Sequence, residues 1–292
     1  MNVPVFEYLR ATSLEQACVL LSTHGKGAKI LAGGTDILVK MKHRRLVPPY
    51  LIDIKRISGL DYIRYEEGEG LRVGPLTSIE SIKRSLVVRK KYPVLYEAAA
   101  YMATIAIRNQ ATLVGNICNG SPSAETAPAL IVLDAKARIL GPGGERVVPV
   151  EDFFTGPGAT VLQPDEVVAE LWIPEPPAGA GGSYQKHSLR RMDVAMVGVA
   201  ALVVPDGEAC GDIRIVLSAV APTPIRVRRA ESVLRGQVPT EALLEAAARE
   251  AAGESRPITD IRGSAESRKN IVETLTGQVI RQASRAAKLG VR

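Results

Sequence analysis

Two stretches carry most of the chemistry this sequence offers. Residues 29–36 read KILAGGTD, and residues 112–128 read TLVGNICNGSPSAETAP. Both are rich in small residues and hydroxyls, and the second holds no aromatic, lysine or arginine. Glycine lets a bulky anion approach the main chain, and a helix starting just beyond it presents unpaired N–H groups and partial positive charge. Gly33-Gly34-Thr35 lies between a predicted strand and a predicted helix, where a phosphate would bind, and Thr35 adds a hydroxyl donor. Such an end contributes only about 0.3–1 kcal/mol per interaction when exposed. Two stretches clamping one ligand hold it where one alone would not. A glycine turn without a ligand is the other reading of residues 33–36. In the second stretch Gly115-Asn116 and Asn119-Gly120-Ser121-Pro122 are turn formers, more than a plain loop in a core-forming region requires. Their donors suit a pyrophosphate or a ribitol. Glu125 is either an acceptor for sugar hydroxyls or a helix N-cap ahead of Pro128.

Other chemistry is thin. No GxxxxGK[ST] occurs, and Gly25-Lys26-Gly27 does not continue into GxGxxG. His24, His43 and His187 lack metal-ligand spacing, and there is neither HExxH nor GxSxG. Cys18, Cys118 and Cys210 are far apart and form no CxxC, which argues against a zinc ribbon or a cysteine-held cluster in this chain. Cys118 is reactive if exposed and a small core residue if buried. Lys186, in SYQKHS on a predicted strand, is either a surface lysine or a cation for an anionic ring. With no metal set and no nucleophile or acid–base pair, any catalysis is left to a cofactor.

The elements that must position these residues follow from periodicity. Ser13-Leu14-Glu15-Gln16 is a capping-box pattern, followed by Leu14, Ala17, Cys18 and Leu21 at helical spacing, with Gly25 as the stop. A strand over 29–32, a glycine turn, a helix carrying Ile37, Leu38 and Met41, and a strand over 51–54 complete a small α/β unit. A second unit starts near Leu60, with strands over 62–65 and 71–73, helices over 77–84 and 94–102, a helix from Thr126 and a strand over 136–140. Residues 175–182, EPPAGAGG, read as a linker. Apolar strands over 194–204 and 213–221 follow, then helices over 229–235, 240–252 and 265–288. Strands then helices suggest an α+β domain with one sheet face covered.

The 292 residues suggest two or three domains. Aromatics make up 4%, too few for base-stacking platforms, and the +6 net charge is dispersed, so nucleic acid is not the expected partner. No run approaches a membrane span, the N-terminal residues lack a signal-peptide core, and the scattered cysteines suit a cytoplasmic setting.

AGGTDILVKMK, ATLVGNICNGSPSAETAPALIVLDA and YQKHSLRRMDVAMVG occur in this order. Together they resemble the FAD-binding medium subunit of the molybdenum hydroxylases, the xanthine dehydrogenase and aerobic carbon monoxide dehydrogenase family, over nearly the whole chain. The resemblance implies an α+β fold. Two α/β subdomains, about 1–58 and 59–177, clasp FAD, and a C-terminal α+β domain, 178–292, has a small antiparallel sheet and covering helices. It implies that Lys29, Ile30, Leu31, Ala32, Gly33, Gly34, Thr35, Asp36 and Ile37 wrap the pyrophosphate. Thr112, Leu113, Val114, Gly115 and Asn116 form the second wall, and Glu125 meets the ribityl or pyrophosphate region. Met102 and Val168 pack near the cofactor, and Lys186 sits by the flavin ring. The implied partners are a large molybdenum subunit and a small subunit with [2Fe–2S] clusters, in a dimer of heterotrimers. The chain departs from the family pattern at Val114, where glycine is usual, at Glu125, where aspartate is usual, and at Val194, where some members have an aromatic. On this view Val114 loosens a close backbone approach, and Val114→Gly tightens FAD. The expected function is electron transfer from the partner clusters to NAD, a quinone or another acceptor. A self-standing flavin reductase or oxidase and a structural subunit with weak flavin binding are the alternatives.

Overall fold

The computed structural model describes residues 3–291. The N-terminal unit comprises β1 (Glu7–Arg10), α1 (Leu14–His24), β2 (Ala28–Leu31), α2 (Ile37–Lys42) and β3 (Tyr50–Asp53). Its strands form a parallel sheet in the order β1-β3-β2. α1 begins where the capping pattern places it, with the Gln16 N–H donating to Ser13 Oγ over 3.1 Å. Leu14, Ala17, Cys18 and Leu21 form its buried face, and Gly25 ends it at φ 56°.

The second unit contains β4 (Ile63–Glu66), β5 (Gly70–Val73), α3 (Ile79–Arg84), α4 (Leu86–Lys91), α5 (Pro93–Tyr101), α6 (Ile105–Arg108), α7 (Leu113–Cys118), α8 (Thr126–Val132), β6 (Lys136–Gly141), β7 (Gly144–Pro149), β8 (Phe154–Gly156), β9 (Ala159–Thr160) and β10 (Val167–Ile173). Its main sheet is antiparallel in the order β4-β5-β10-β6-β7. The central strand, β10, faces two cores. Val168 joins the main cluster of this unit, while Val167 and Ala169 pack with Ala17, Cys18 and Ile52 of the N-terminal unit. Strand alternation thereby binds the two units together.

The last part holds β11 (Gly181–His187), β12 (Val197–Asp206), β13 (Ala209–Ser218), β14 (Ile225–Arg226), α9 (Arg228–Leu234), α10 (Glu241–Glu254) and α11 (Ala265–Ala286). The strands form an antiparallel sheet in chain order. The expectation of one covered face is corrected here, because both faces are buried. Val197, Val199, Ala201 and Val203 pack under the helices with Val272 and Val279, while Tyr184, Ala200, Leu202 and Val216 join Val94, Leu95 and Ala98 in the core of the second unit. The sequence VGVAALV is apolar at both parities, the mark of a strand buried on both sides. This second covered face positions the site, because it carries Tyr184 and then Lys186 toward the start of α8.

Candidate functional site

The first glycine stretch is the turn between β2 and α2. Gly34 has φ 76°, a conformation side chains rarely adopt. Gly33 is required for a different reason. A Cβ there would overlap the Gln110 carbonyl oxygen and lie 3.1 Å from Ala111 Cα. The turn therefore rests directly on the chain entering the second stretch. Asn119 closes the same contact, accepting from Lys40 Nζ at 2.6 Å and donating to Asp36 Oδ1 at 3.1 Å. The Asp36 carboxylate is thus engaged by an amide. The N–H groups of Gly33, Gly34 and Thr35, and the Thr35 hydroxyl, have no partner among the described residues.

The second stretch is partly helical, where its turn formers had pointed to a loop. Thr112 caps α7, its Oγ1 accepting the Gly115 N–H at 2.9 Å. A Cβ on Gly115 would lie 2.8 Å from that oxygen, so glycine preserves the cap. Leu113 and Val114 are buried in the main cluster with Met102, Ala111 and Val168. The Val114 side chain is part of this core. Asn116 Oδ1 accepts from Thr126 Oγ1 at 2.6 Å, joining α7 to the start of α8, and its amide Nδ2 has no partner among the described residues. Gly120, at φ 64°, packs on the β8–β9 turn, where the Gly158 N–H donates to its carbonyl at 2.8 Å. Cys118 packs partly buried against the main cluster, and burial pushes its thiol up to about 12, which keeps it protonated.

Glu125 stands at the N-cap position of α8, but its side chain makes no capping hydrogen bond. It accepts from Lys186 Nζ at 3.1 Å, and the same ammonium donates to the Asp193 carbonyl at 2.8 Å. The Lys186 side chain is only 1% exposed, which overturns the surface reading of this lysine. Burial raises the Glu125 carboxyl above its ordinary value, Lys186 opposes the rise, and the charge of Asp36 adds to it. The charge of Asp36 therefore reaches Glu125 across the two stretches. The Tyr184 ring, two residues before Lys186 on the same strand face, meets Tyr101 edge-on at 6.1 Å, next to Met102 at the end of α5. The Met102 carbonyl accepts from Arg108 Nη1 at 2.9 Å, and Arg108 Nε pairs with Glu80 at 2.7 Å.

The structure thus brings residues 33–36, 110–119, Glu125 and Lys186 together, with Met102 and Val168 in the apolar cluster behind them. Lys29, Ile30 and Leu31 lie in β2, where Ile30 and Leu31 pack on two small clusters, and Ile37 opens α2. Sequence reading missed Asn119, Lys40 and Asp193 as connectors. Asn119 had been visible only as a turn former.

Residues 4–176 match the family model described as the FAD binding domain in molybdopterin dehydrogenase. The chain belongs to the FAD-binding subunit family of the molybdenum hydroxylases. Residues 182–283 match the carbon monoxide dehydrogenase flavoprotein C-terminal domain. The xanthine dehydrogenase FAD-binding subunit of Escherichia coli O157:H7 is 35% identical over 282 residues, covering 96% of each chain. The carbon monoxide dehydrogenase medium chain of Hydrogenophaga pseudoflava is 36% identical over 287 residues, covering 98% of each. A solved carbon monoxide dehydrogenase from that organism superposes with a TM-score of 0.95 at 35% identity, covering 98% of this chain and 99% of the other. Quinoline 2-oxidoreductase of Pseudomonas putida 86 superposes at 0.92 with 31% identity, covering 98% and 99%. The chain is an oxidoreductase subunit whose cofactor is FAD. The donor set fits that group: free N–H groups at a glycine turn suit a pyrophosphate, the spare Asn116 amide suits a hydroxyl-rich chain, and a buried ammonium suits an electron-rich ring. Among the described residues no helix is long and apolar enough to cross a membrane.

Proposed function

We propose that this chain is the electron-transfer subunit of a cytoplasmic molybdenum hydroxylase complex, taking electrons from [2Fe–2S] clusters of a small partner and passing them to NAD, a quinone or another acceptor. A large subunit would oxidise the substrate at molybdenum, and the assembly would be a dimer of heterotrimers. Bound FAD supplies the junction chemistry, since a flavin accepts electrons singly and releases them in pairs. The observation that carries this reading is the apposition of the two glycine stretches, with Gly33 lying on the backbone of residues 110–111.

In this reading the segment from Lys29 to Ile37 holds the pyrophosphate, through the free N–H groups of Gly33, Gly34 and Thr35 at its turn, and residues 112–116 form the opposite wall. Glu125 and Lys186 close the far end, and Met102 and Val168 supply apolar backing. The division near residue 177 is supported by the lack of helix or strand over 174–180 and by separate family matches on either side. Full relatives of similar length, named as medium chains or FAD-binding subunits, support the partnership. The test is the visible spectrum of the purified chain, with identification of released flavin. Stoichiometric FAD supports the clasp. A colourless chain that takes up no FAD, alone or with partners, sinks it.

A further inference from the structure

Gly198 stands inside β12, with Val197 and Val199 on either side. Glycine weakens a strand interior, and it often marks the close approach of another group. The backbone does not call for it, because Gly198 does not have a positive φ. The space beside it does. A Cβ at this position would overlap Ser218 Oγ and lie 3.1 Å from the Tyr184 phenol oxygen. Both oxygens are buried, and neither has a hydrogen-bond partner among the described residues. Of four buried side-chain polar atoms in that condition, two meet at this one glycine.

The sheet brings them there. β12 runs between β11 and β13, so Lys186, Gly198 and Ser218 stand side by side in register. Paired residues point to one face, and Tyr184 shares it two residues before Lys186. The neighbouring row, Tyr184, Ala200 and Val216, joins the core of the second unit. Beyond Ser218, the Ala219 N–H donates to the Pro122 carbonyl at 2.7 Å and ties β13 to the second glycine stretch. At the other end of the row Lys186 holds Glu125. The two hydroxyls therefore lie in the layer behind the Glu125–Lys186 pair.

Two hydroxyls buried without partners are costly, and native folds avoid them. Burial first, then the charges of Glu125 and Tyr101, raise the Tyr184 phenol well above its ordinary value, so it stays protonated and acts as a donor. Ser218 Oγ can donate or accept. One small molecule that accepts from the phenol and donates to the serine satisfies both. A neutral molecule is favoured over an ion, because Lys186 and Glu125 already offset each other and a further charge would be buried alone. Space left by omitting one methyl group, with two polar partners, suits a water. We propose that Tyr184, Ser218 and Gly198 form a binding site for a single structural water, which anchors the Tyr184 phenol behind the Glu125–Lys186 pair. The site stands whether or not the chain transfers electrons, since all its groups belong to this chain.

The test is a high-resolution crystal structure of the full chain as purified, joined to a double-mutant cycle on its unfolding in urea. A water about 2.7–3.0 Å from both oxygens is the expected result. Tyr184→Phe and Ser218→Ala should each lower the folded-to-unfolded ratio ~5-fold, since each leaves the remaining hydroxyl and the water short of a partner. The two together should lose no more than either alone, because the water then has neither hydroxyl to hold it. Gly198→Ala should expel the water from the crystal structure. Losses that simply add overturn the site, as does a water that survives Gly198→Ala. A direct Tyr184–Ser218 hydrogen bond, a bound ion, or no density between the two oxygens of the parent chain overturns it as well. Should a variant fail to fold, the density in the parent decides.

Discussion

The two glycine stretches resemble each other in composition and differ in what they do with their backbone. In the turn before α2 the N–H groups of residues 33–35 and the Thr35 hydroxyl are left without partners. In the second stretch most donors are used internally. Gly115 serves the Thr112 cap, Gly120 serves the contact with the β8–β9 turn, and Asn119 ties the first turn in place. Glycine-rich sequence therefore marks two physical needs here, ligand access in one region and close packing in the other. The first presents donors and the second holds the first still. Four substitutions separate these roles, and they run from large to small expected effect.

Lys186→Met tests the closed end of the second stretch. It leaves the Glu125 carboxylate buried without its cation, for which a loss of about 4 kcal/mol is expected near neutral pH. The pH dependence has a definite sign. A buried carboxyl whose folded pKa lies above its unfolded value favours the native state fully below the unfolded value, about 4.5. That contribution is lost as pH rises through the folded value. The variant should therefore unfold more easily in urea at pH 8 than at pH 5, and adding Glu125→Gln should remove the slope. A flat pH profile in Lys186→Met would show that the pair is not buried as described.

Gly33→Ala comes next. The new methyl overlaps the Gln110 carbonyl oxygen, so the two stretches must separate. A loss of about 3 kcal/mol is expected, with most bound FAD gone. Retention of FAD with unchanged stability would mean the stretches are not in contact. Val114→Gly removes a side chain from the main core and places glycine in α7, for a combined cost of about 2–3 kcal/mol. FAD should bind no more tightly. Tighter binding would restore the sequence-based view that Val114 obstructs the cofactor. The smallest effect belongs to Thr35→Ala. Stability should stay within about 0.5 kcal/mol, and FAD affinity should fall by about 5-fold for one lost hydrogen bond. An unchanged affinity would place the pyrophosphate away from this turn.

Much of the fold is legible because its signals are local. Ser13 caps α1, the spacing of Leu14, Ala17, Cys18 and Leu21 sets its buried face, and the Pro-rich run at 174–177 falls outside helix and strand. Other elements were not legible. α7 was hidden because Gly115 and Asn116 favour turns, yet the Thr112 cap and the burial of Leu113 and Val114 outweigh that preference. The central strand β10 went unread because VVAELWI does not alternate: one side packs on α1 and the other on the main core.

The candidate site divides the same way. Residue types and order were enough to place both glycine stretches and Lys186 in one family pattern, since those signals are short runs of sequence. The tertiary structure decided what each residue touches. Gly33 is needed because of Gln110, Asp36 is held by Asn119, and Lys186 is buried between Glu125 and the Asp193 carbonyl. It also buried Arg268, eight residues on from its partner Asp260 in sequence, against the distant Met196 carbonyl. The physical reason is one of range. Capping and periodicity act over three or four residues and can be read along the chain. A steric overlap or a buried charge pair joins residues 60 or more positions apart, and only the folded chain fixes those partners.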